Sequence, residues 1–473
     1  MCETGVLGYD ATHRFPMLTI LHSQRPRLAR ELRETLHLAV PLVLGQLSAI
    51  GMNVIDTILA GHLDAHTLAA VAIGTSVWSL AIVAAIGVMM ALPPSVAQLN
   101  GAGRRAAIGP LFRQALWLAI VLGIVLGLAV RFGGALLVAN IGLDARLVPD
   151  VIRFLHAVAF GAPALTLFFT LRGLGEGFSL TRPTMYFSVL GLVLLGPIGY
   201  VLMYGALGVP RLGALGSGIA TALVLWLQLF AFAIYVALRH HYRDLHLFAR
   251  FEAPDWNALG GLLRIGVPMG VSLFMEASLF VAVALAIGTL GTDVVAGHQV
   301  AINVASVTFM VPLGIAMATT VRVGNAVGRG DPQNVRDAGL VGISLTLLTQ
   351  TISAGLMLLL PHQIAALYSH DAGVIALAAQ LLVLAGLFQF SDGIQVAANG
   401  ALRGLKDTRI PMFITVFSYW GVGMPVGWWL AFPHGLGARG MWMGLIAGLS
   451  MAAGLLSRRF WTLARIPPAA APA

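Results

Sequence analysis

Four carboxylates stand within or at the ends of long apolar stretches: Asp56, Glu176, Glu276 and Asp392. Glu276 is the only charge in Ile265 to Gly288 (IGVPMGVSLFMEASLFVAVALAIG), eleven residues from its start. At about 1.5 Å rise per residue that is roughly 16 Å deep, the middle of a ~30 Å hydrocarbon core. A carboxylate at that depth is costly unless it faces protein, water or a cation, which makes it a functional-site candidate. Asp392, in GLFQFSDGIQVAANG, lies at similar depth in a later stretch of the same half. Two carboxylates in one bundle can hold a hard cation with neutral oxygens, or share a proton. The amides Gln299, Asn303, Gln389, Gln395 and Asn399 are the nearby polar partners. Glu276 and Asp392 are therefore candidate cation ligands or proton carriers. The competing reading is an acid pair that only fixes helix packing.

The elements that must position these acids are membrane-spanning helices. The chain of 473 residues is 58% hydrophobic and 10% charged, against about 25% charged in soluble domains. Twelve apolar runs are long enough to span, near 37–61, 68–92, 115–138, 151–171, 185–204, 215–238, 265–288, 295–321, 340–360, 375–400, 410–432 and 440–457. The ten-residue alternation of barrel strands is absent. The fold class expected is all-α and polytopic: twelve transmembrane helices in two pseudo-twofold-related six-helix bundles around a central cavity. The net charge of +9 is spread over short loops, which argues against nucleic acid. Of the 28 basic residues, all but Arg131, Arg146, Arg153, Arg211 and Arg439 fall on one side. That bias predicts both termini in the cytoplasm. No secretory leader precedes the first span, Met17 is an alternative start, and Arg27 to Leu36 reads as a short interfacial helix. The single Cys2 excludes an intrachain disulfide and gives no metal-site spacing.

The chain repeats itself. Ala39-Val40-Pro41 matches Gly266-Val267-Pro268, and Gly61, Ala69, Gly101 and Gly103 match Gly288, Ala296, Gly328 and Gly330, all at an offset of 227. Leu171-Arg172-Gly173 matches Leu402-Arg403-Gly404 at 231. At these offsets Glu276 stands opposite Ala49 and Asp392 opposite Gly161, so both acids belong to the second half alone. Six spans per half put the halves the same way up about a shared cavity. The expected organisation is an N-terminal segment over 1–34, an N-lobe over 35–240, a linker over 241–258, a C-lobe over 259–460 and a tail over 461–473. The linker's charges read as a solvated, lipid-facing loop.

Five stretches carry a family resemblance. They are HQVAINVASVTFMVPLGIAMATTVRVGNAVGRGD at 298–331, QVAANGALRGLKDT at 395–408, VIDTILAGHLD at 54–64, VAIGTSVW at 71–78 and PSVAQLNGAGR at 94–104. Together they resemble the MATE family of multidrug and toxic compound extrusion transporters, most closely its NorM-type branch. The resemblance implies two six-helix bundles and exchange of inward Na⁺ or H⁺ for outward organic cations. It places Glu276 and Asp392 at the family's cation-site acids and Gln299 and Phe280 at cavity-lining positions. Asn303, Gln395 and Phe388 join this candidate cavity set. Asp56 falls where some members have a coupling acid, the alternative being an exposed rim carboxylate. Asp371 falls near the drug opening. Two departures stand out: Phe388 replaces a Tyr one turn before the tenth-span Asp, and Leu195 and Gly199 replace two Asn of the fifth span.

Other motifs weigh less. Gly173-Leu174-Gly175-Glu176-Gly177 follows no strand, so it is no phosphate cradle. His62 and His66, four apart in a loop, form a poor metal motif. Pro41, Pro163, Pro197, Pro268, Pro312 and Pro425 should kink their spans. The function expected is a secondary multidrug antiporter of the bacterial inner membrane, not an enzyme. It would be a monomer in contact with membrane lipid, with no cofactor beyond the coupling ion. The alternatives are a lipid-linked carrier flippase, disfavoured by few basic residues within spans, and an intramembrane enzyme using Glu276 and Asp392.

Overall fold

The computed structural model describes residues 16–248, 250 and 252–465. Cys2, with the rest of 1–15 in the expected N-terminal segment and 466–473 in the C-terminal tail, lies outside the described residues. The described chain is helical throughout, because apolar segments in lipid must satisfy their backbone groups internally. Eleven helices are long and apolar enough to cross a membrane, and a bent pair supplies a twelfth span. We number the spans α1 (Arg27–Leu63), α2 (Ala65–Gly101), α3 (Arg105–Asn140), α4 (Val148–Ala159 with Ala162–Gly177), α5 (Arg182–Tyr204), α6 (Ala214–Leu238), α7 (Trp256–Gly288), α8 (Thr292–Gly328), α9 (Pro332–Leu359), α10 (Ala372–Gly404), α11 (Arg409–Ala431) and α12 (Ala438–Leu463). All twelve apolar runs of the sequence become spans.

Local chemistry explains the starts and breaks. Asp64, Asp255, Asp331 and Asp371 each accept a backbone N–H of the helix that follows, a cap worth about 1 kcal/mol. The two parts of α4 meet at a 42° bend, followed by Pro163. Pro197, Pro268 and Pro312 sit inside continuous helices. The α2 helix is interrupted at Met90–Ala91, just before Pro93 and Pro94.

Two apolar cores separate the lobes, one built on α2, α3, α4 and α6 and one on α7, α8, α10 and α12. The lobes touch in the half of the molecule nearer the basic face. Gly87 meets the backbone of Gly270, Gly266 meets Val88, and Gly314 meets Val43. At the basic face, Gly101 lies against the Asn325 carbonyl and Gly328 against the Gln98 carbonyl. These contacts are reciprocal, since 101 and 328, like 98 and 325, differ by 227. Gln98 also donates to the Gly404 carbonyl (2.9 Å), and Asn100 to Asn325 (3.2 Å). Toward the opposite face Val54, Ile58, Val281 and Leu285 are exposed.

Three expectations change here. Arg27 to Leu36 is no separate interfacial helix but the continuous start of the first helix, Pro16–Leu63. The cause is electrostatic: buried Glu31 and its neighbour Glu34 each accept from Arg322 of α8 at 2.5 Å, drawing the segment across the seam. The linker between the lobes is strapped to the protein rather than free in solvent or lipid. Tyr242, Leu245 and Leu247 are buried, and Arg113 pairs with Glu252 at 2.5 Å. Gln114 bonds both Ala253 and Asp255. The Arg113 guanidinium holds the Glu252 carboxyl below the usual range. That contribution is present above the ordinary carboxyl pKa and is lost as pH falls through the depressed value.

The third change concerns the repeat. Ser179 and Lys406, both at positive φ, end α4 and α10 in the same way. Leu180 N–H donates to Gly175 O and Asp407 N–H to Leu402 O. All three correspondences give 227. The 231 offset read from Leu-Arg-Gly is thus a chance identity. Arg403 is equivalent to Glu176, Arg172 to Asn399, and Asp392 to Leu165 rather than Gly161.

Two measurements test this architecture. Gly328→Val would drive a side chain into the Gln98 carbonyl, and overpacking of that kind costs about 1–3 kcal/mol. A lower unfolding temperature of the purified protein is the expected result. Arg113→Ala should accelerate protease cleavage within 239–255 while leaving the spans intact.

Candidate functional site

The cavity between the lobes has a volume of about 220 Å³ and straddles the pseudo-twofold axis. Its lining comes in equivalent pairs at 227: Gln46 with Leu273, Ile86 with Leu313, Met90 with Met317, Pro93 with Thr320 and Glu176 with Arg403. The axis is why one cavity draws on α1, α2 and α4 and on α7, α8 and α10. Arg172 also lines it, pairing through Nε with Glu176 at 2.6 Å and donating to Gln46 at 3.0 Å. Glu176, set aside in the sequence as a helix-end residue, is therefore buried beside the cavity. Arg172 and Arg403, counted among loop charges on the basic side, are buried too. They also weaken the argument that the spans hold few basic residues.

Glu276 of α7 is half-buried and Asp392 of α10 is buried. Asp392 feels the charge of Glu276, and Glu276 feels Arg403. The structure thus brings the two predicted acids together. Neither carboxylate accepts a hydrogen bond from a protein group among the described residues. Around them stand buried oxygens with no hydrogen-bond partner, Gln395 Oε1 and the Tyr419 hydroxyl among them. Tyr419 senses Glu276, Asp392 and Arg403 alike. Two carboxylates with neutral oxygens form the donor set of a hard cation. The set equally suits a shared proton.

Aromatic rings wall the site. Phe280 meets Phe388 edge-on at 6.1 Å, and Phe388 meets Trp442 at 5.8 Å. The Trp442 indole donates to His298 Nδ1 at 3.2 Å. Phe388, without the hydroxyl its position often carries, is locked in this stack. Gln299 and Asn303 are exposed on one face of α8, and Asn303 accepts from Tyr368 at 3.1 Å. Asp371 is exposed at the face away from the arginines and caps α10 through Val374 N–H at 2.9 Å.

In the N-lobe, Asp56 is buried rather than exposed at a rim, and Ser217 of α6 donates to it at 2.7 Å. No other titratable side chain bonds it among the described residues. His66 pairs with Asp150 at 3.0 Å, and His62 bonds the Ile58 carbonyl, so the two histidines do not converge.

The MatE family profile matches twice, over residues 41–201 and 268–429. The chain belongs to the MATE family. The starts of the two matches differ by 227, the spacing that relates the paired linings. The NorM-type branch is supported by curated relatives. The chain is 49% identical to the probable multidrug resistance protein NorM of Xanthomonas campestris pv. campestris, covering 95% of this chain and 98% of that one. It is 42% identical to the multidrug resistance protein PmpM of Pseudomonas aeruginosa, covering 93% of each. Among solved structures, the eukaryotic MATE transporter AtDTX14 superposes with a TM-score of 0.84 at 22% identity, over 93% of this chain and 99% of that one. An outward-facing multidrug resistance MATE transporter gives 0.84 at 20% identity, over 92% and 96%.

Within this MATE chain, three site residues escape a reading of apolar runs. Arg403 hides as one more basic residue at a span end, yet Gln395, Asn399 and Arg403 recur every four residues and mark one polar face of α10. Tyr419 follows Ser418 in the middle of an apolar span, a signal that was there to be used. Ser217 has no signal at all, because small polar residues are common in transmembrane helices.

The Asp56 contact generates a test. Ser217→Ala leaves a buried carboxylate without its donor, at a cost of about 1–3 kcal/mol. Reduced thermal stability of the purified protein is expected, with Ser217→Thr retaining it.

Proposed function

We propose that this MATE protein is a secondary multidrug antiporter that exports organic cations in exchange for inward Na⁺ or H⁺. Its relatives bear the names of multidrug resistance proteins over nearly their full length. The observation that carries the coupling mechanism is the juxtaposition of Glu276 and Asp392 with oxygens lacking protein partners, next to the cavity on the pseudo-twofold axis. Cation or proton binding at the two acids stabilises one arrangement of the lobes. A drug in the cavity stabilises the other. Each acts only through its differential affinity for the two states. Phe280, partly exposed in front of the buried Phe388 and Trp442, supplies an aromatic face for flat cationic compounds. Met90 and Met317 add adaptable apolar surface. Gln299, Asn303, Gln395 and Asp371 remain substrate-route candidates, and Asp56 a secondary acid.

The basic face is taken as cytoplasmic, with both termini there, in the inner membrane of a bacterium. A monomer suffices, because both lobes are in one chain. The two acids are read as carrier groups, not as a hydrolytic pair, because the whole-chain duplication builds one shared cavity. A lipid-linked carrier flippase is disfavoured because Glu176 already answers one of the two cavity arginines.

The test is ethidium transport in proteoliposomes under an imposed Na⁺ gradient or an imposed H⁺ gradient, each alone. Wild type should respond to at least one. Asp392→Asn and Glu276→Gln should remain folded and lose at least ten-fold in gradient-driven transport. Wild-type transport by both variants would falsify this assignment.

A further inference from the structure

The duplication was broken at one pair of positions in a way that bears on how many ions the protein moves. Glu176 and Arg403 are equivalent and both line the central cavity, yet their charges are opposite. In the N-lobe, Glu176 is answered on its own helix by Arg172 at 2.6 Å. In the C-lobe the residue equivalent to Arg172 is Asn399, so α10 offers Arg403 no such carboxylate. The next acid along the chain, Asp407, is turned to Arg459 at 2.5 Å. Arg403 is 3% exposed, and its Nε has no hydrogen-bond partner. The acid whose charge it shares is Glu276.

The two α10 charges are separated along the helix axis. Asp392 and Arg403 are eleven residues apart on α10, three turns and about 16 Å along one face. Glu276, on α7, is within electrostatic reach of both. A mid-membrane carboxylate and a guanidinium nearer the basic face thus share α10, and the guanidinium also lines the central cavity. Glu276 and Arg403 are both particular to the C-lobe, since their equivalents are Ala49 and Glu176.

We propose that Arg403 is the fixed counter-charge of the cation site. With it, the Glu276–Asp392–Arg403 group holds one net negative charge and takes up a single monovalent cation or proton per transport cycle. The physical reason is the cost of unbalanced charge in a low-dielectric interior, several kcal/mol per ion. The guanidinium balances one carboxylate in every state of the cycle, and one mobile charge balances the other. A second monovalent cation would leave the group with an excess positive charge. Exchange of one such ion for one singly charged drug moves no net charge across the membrane.

This inference rests on the antiport reading, and the experiment separates the two. Full-length protein is reconstituted in proteoliposomes. Ethidium, a monovalent cation, is exchanged against the coupling ion with the membrane potential clamped by K⁺ and valinomycin. Wild type should exchange one ion per ethidium, with a final ethidium distribution independent of the clamped potential. Arg403→Gln should raise the ratio toward two and make the distribution potential-dependent. Arg403→Lys, which keeps the charge, should restore a ratio of one. A wild-type ratio of two, or an Arg403→Gln protein that keeps the wild-type ratio, overturns the proposal. Should Arg403→Gln fail to fold, the wild-type ratio and potential dependence decide by themselves. Ethidium exchange with a ratio other than one defeats only the inference. Wild type that moves no ethidium under either gradient defeats the antiport reading, and the inference with it.

Discussion

An ionised group inside a membrane protein must be answered within a few ångströms, because no water is at hand to do it. That constraint sorts the buried and half-buried charges into two kinds. Glu31 and Glu34 meet Arg322, Glu176 meets Arg172, and Asp407 meets Arg459, each in direct contact. Asp56 has the Ser217 hydroxyl. These groups are settled within the protein. Glu276, Asp392 and Arg403 are not: they sense one another's charge but make no ion pair among the described residues. An arrangement that leaves charge unsettled is poor at fixing a structure and well suited to exchanging ligands. It also argues against the plain reading of the two acids as a packing device, which would have closed on itself as Arg172 and Glu176 do.

The duplication supplies the frame in which that asymmetry sits. One offset, 227, relates the lining of the cavity, the ends of α4 and α10, the glycine contacts at the seam and the two family matches. Packing follows the symmetry and charge does not. Glycines at 101 and 328 let backbone meet backbone across the axis, a contact any side chain would prevent. The polar positions have diverged, Ala49 against Glu276 and Glu176 against Arg403. A symmetric scaffold lets the lobes rock against one another, and a one-sided charge set tells them apart.

Most of the fold was legible in the sequence because the bilayer demands long apolar runs, and these are hard to mistake. All twelve spans were found, and the depth of Glu276 and Asp392 marked them without reference to any partner. What was not legible depended on facing residues. A basic residue at a span end reads as loop until packing buries it, as with Arg172 and Arg403. The Leu-Arg-Gly identity misled because three residues are a short match, whereas positive φ at Ser179 and Lys406 reflects the shape of the chain itself. The start of the first helix read as interfacial because Arg322, which holds it, is 291 residues away from Glu31.

That separation has a consequence for how the molecule is made. The segment carrying Glu31 leaves the ribosome first, and its guanidinium partner is absent until α8 has been synthesised. Until then Glu31 has no reason to leave water, and the first helix has no reason to lie across the opening between the halves. The two bundles must each be inserted before the contacts that join them can form. Closure of the basic side is thus a late event in biogenesis, and a nascent N-lobe stays unlatched while its twin is built.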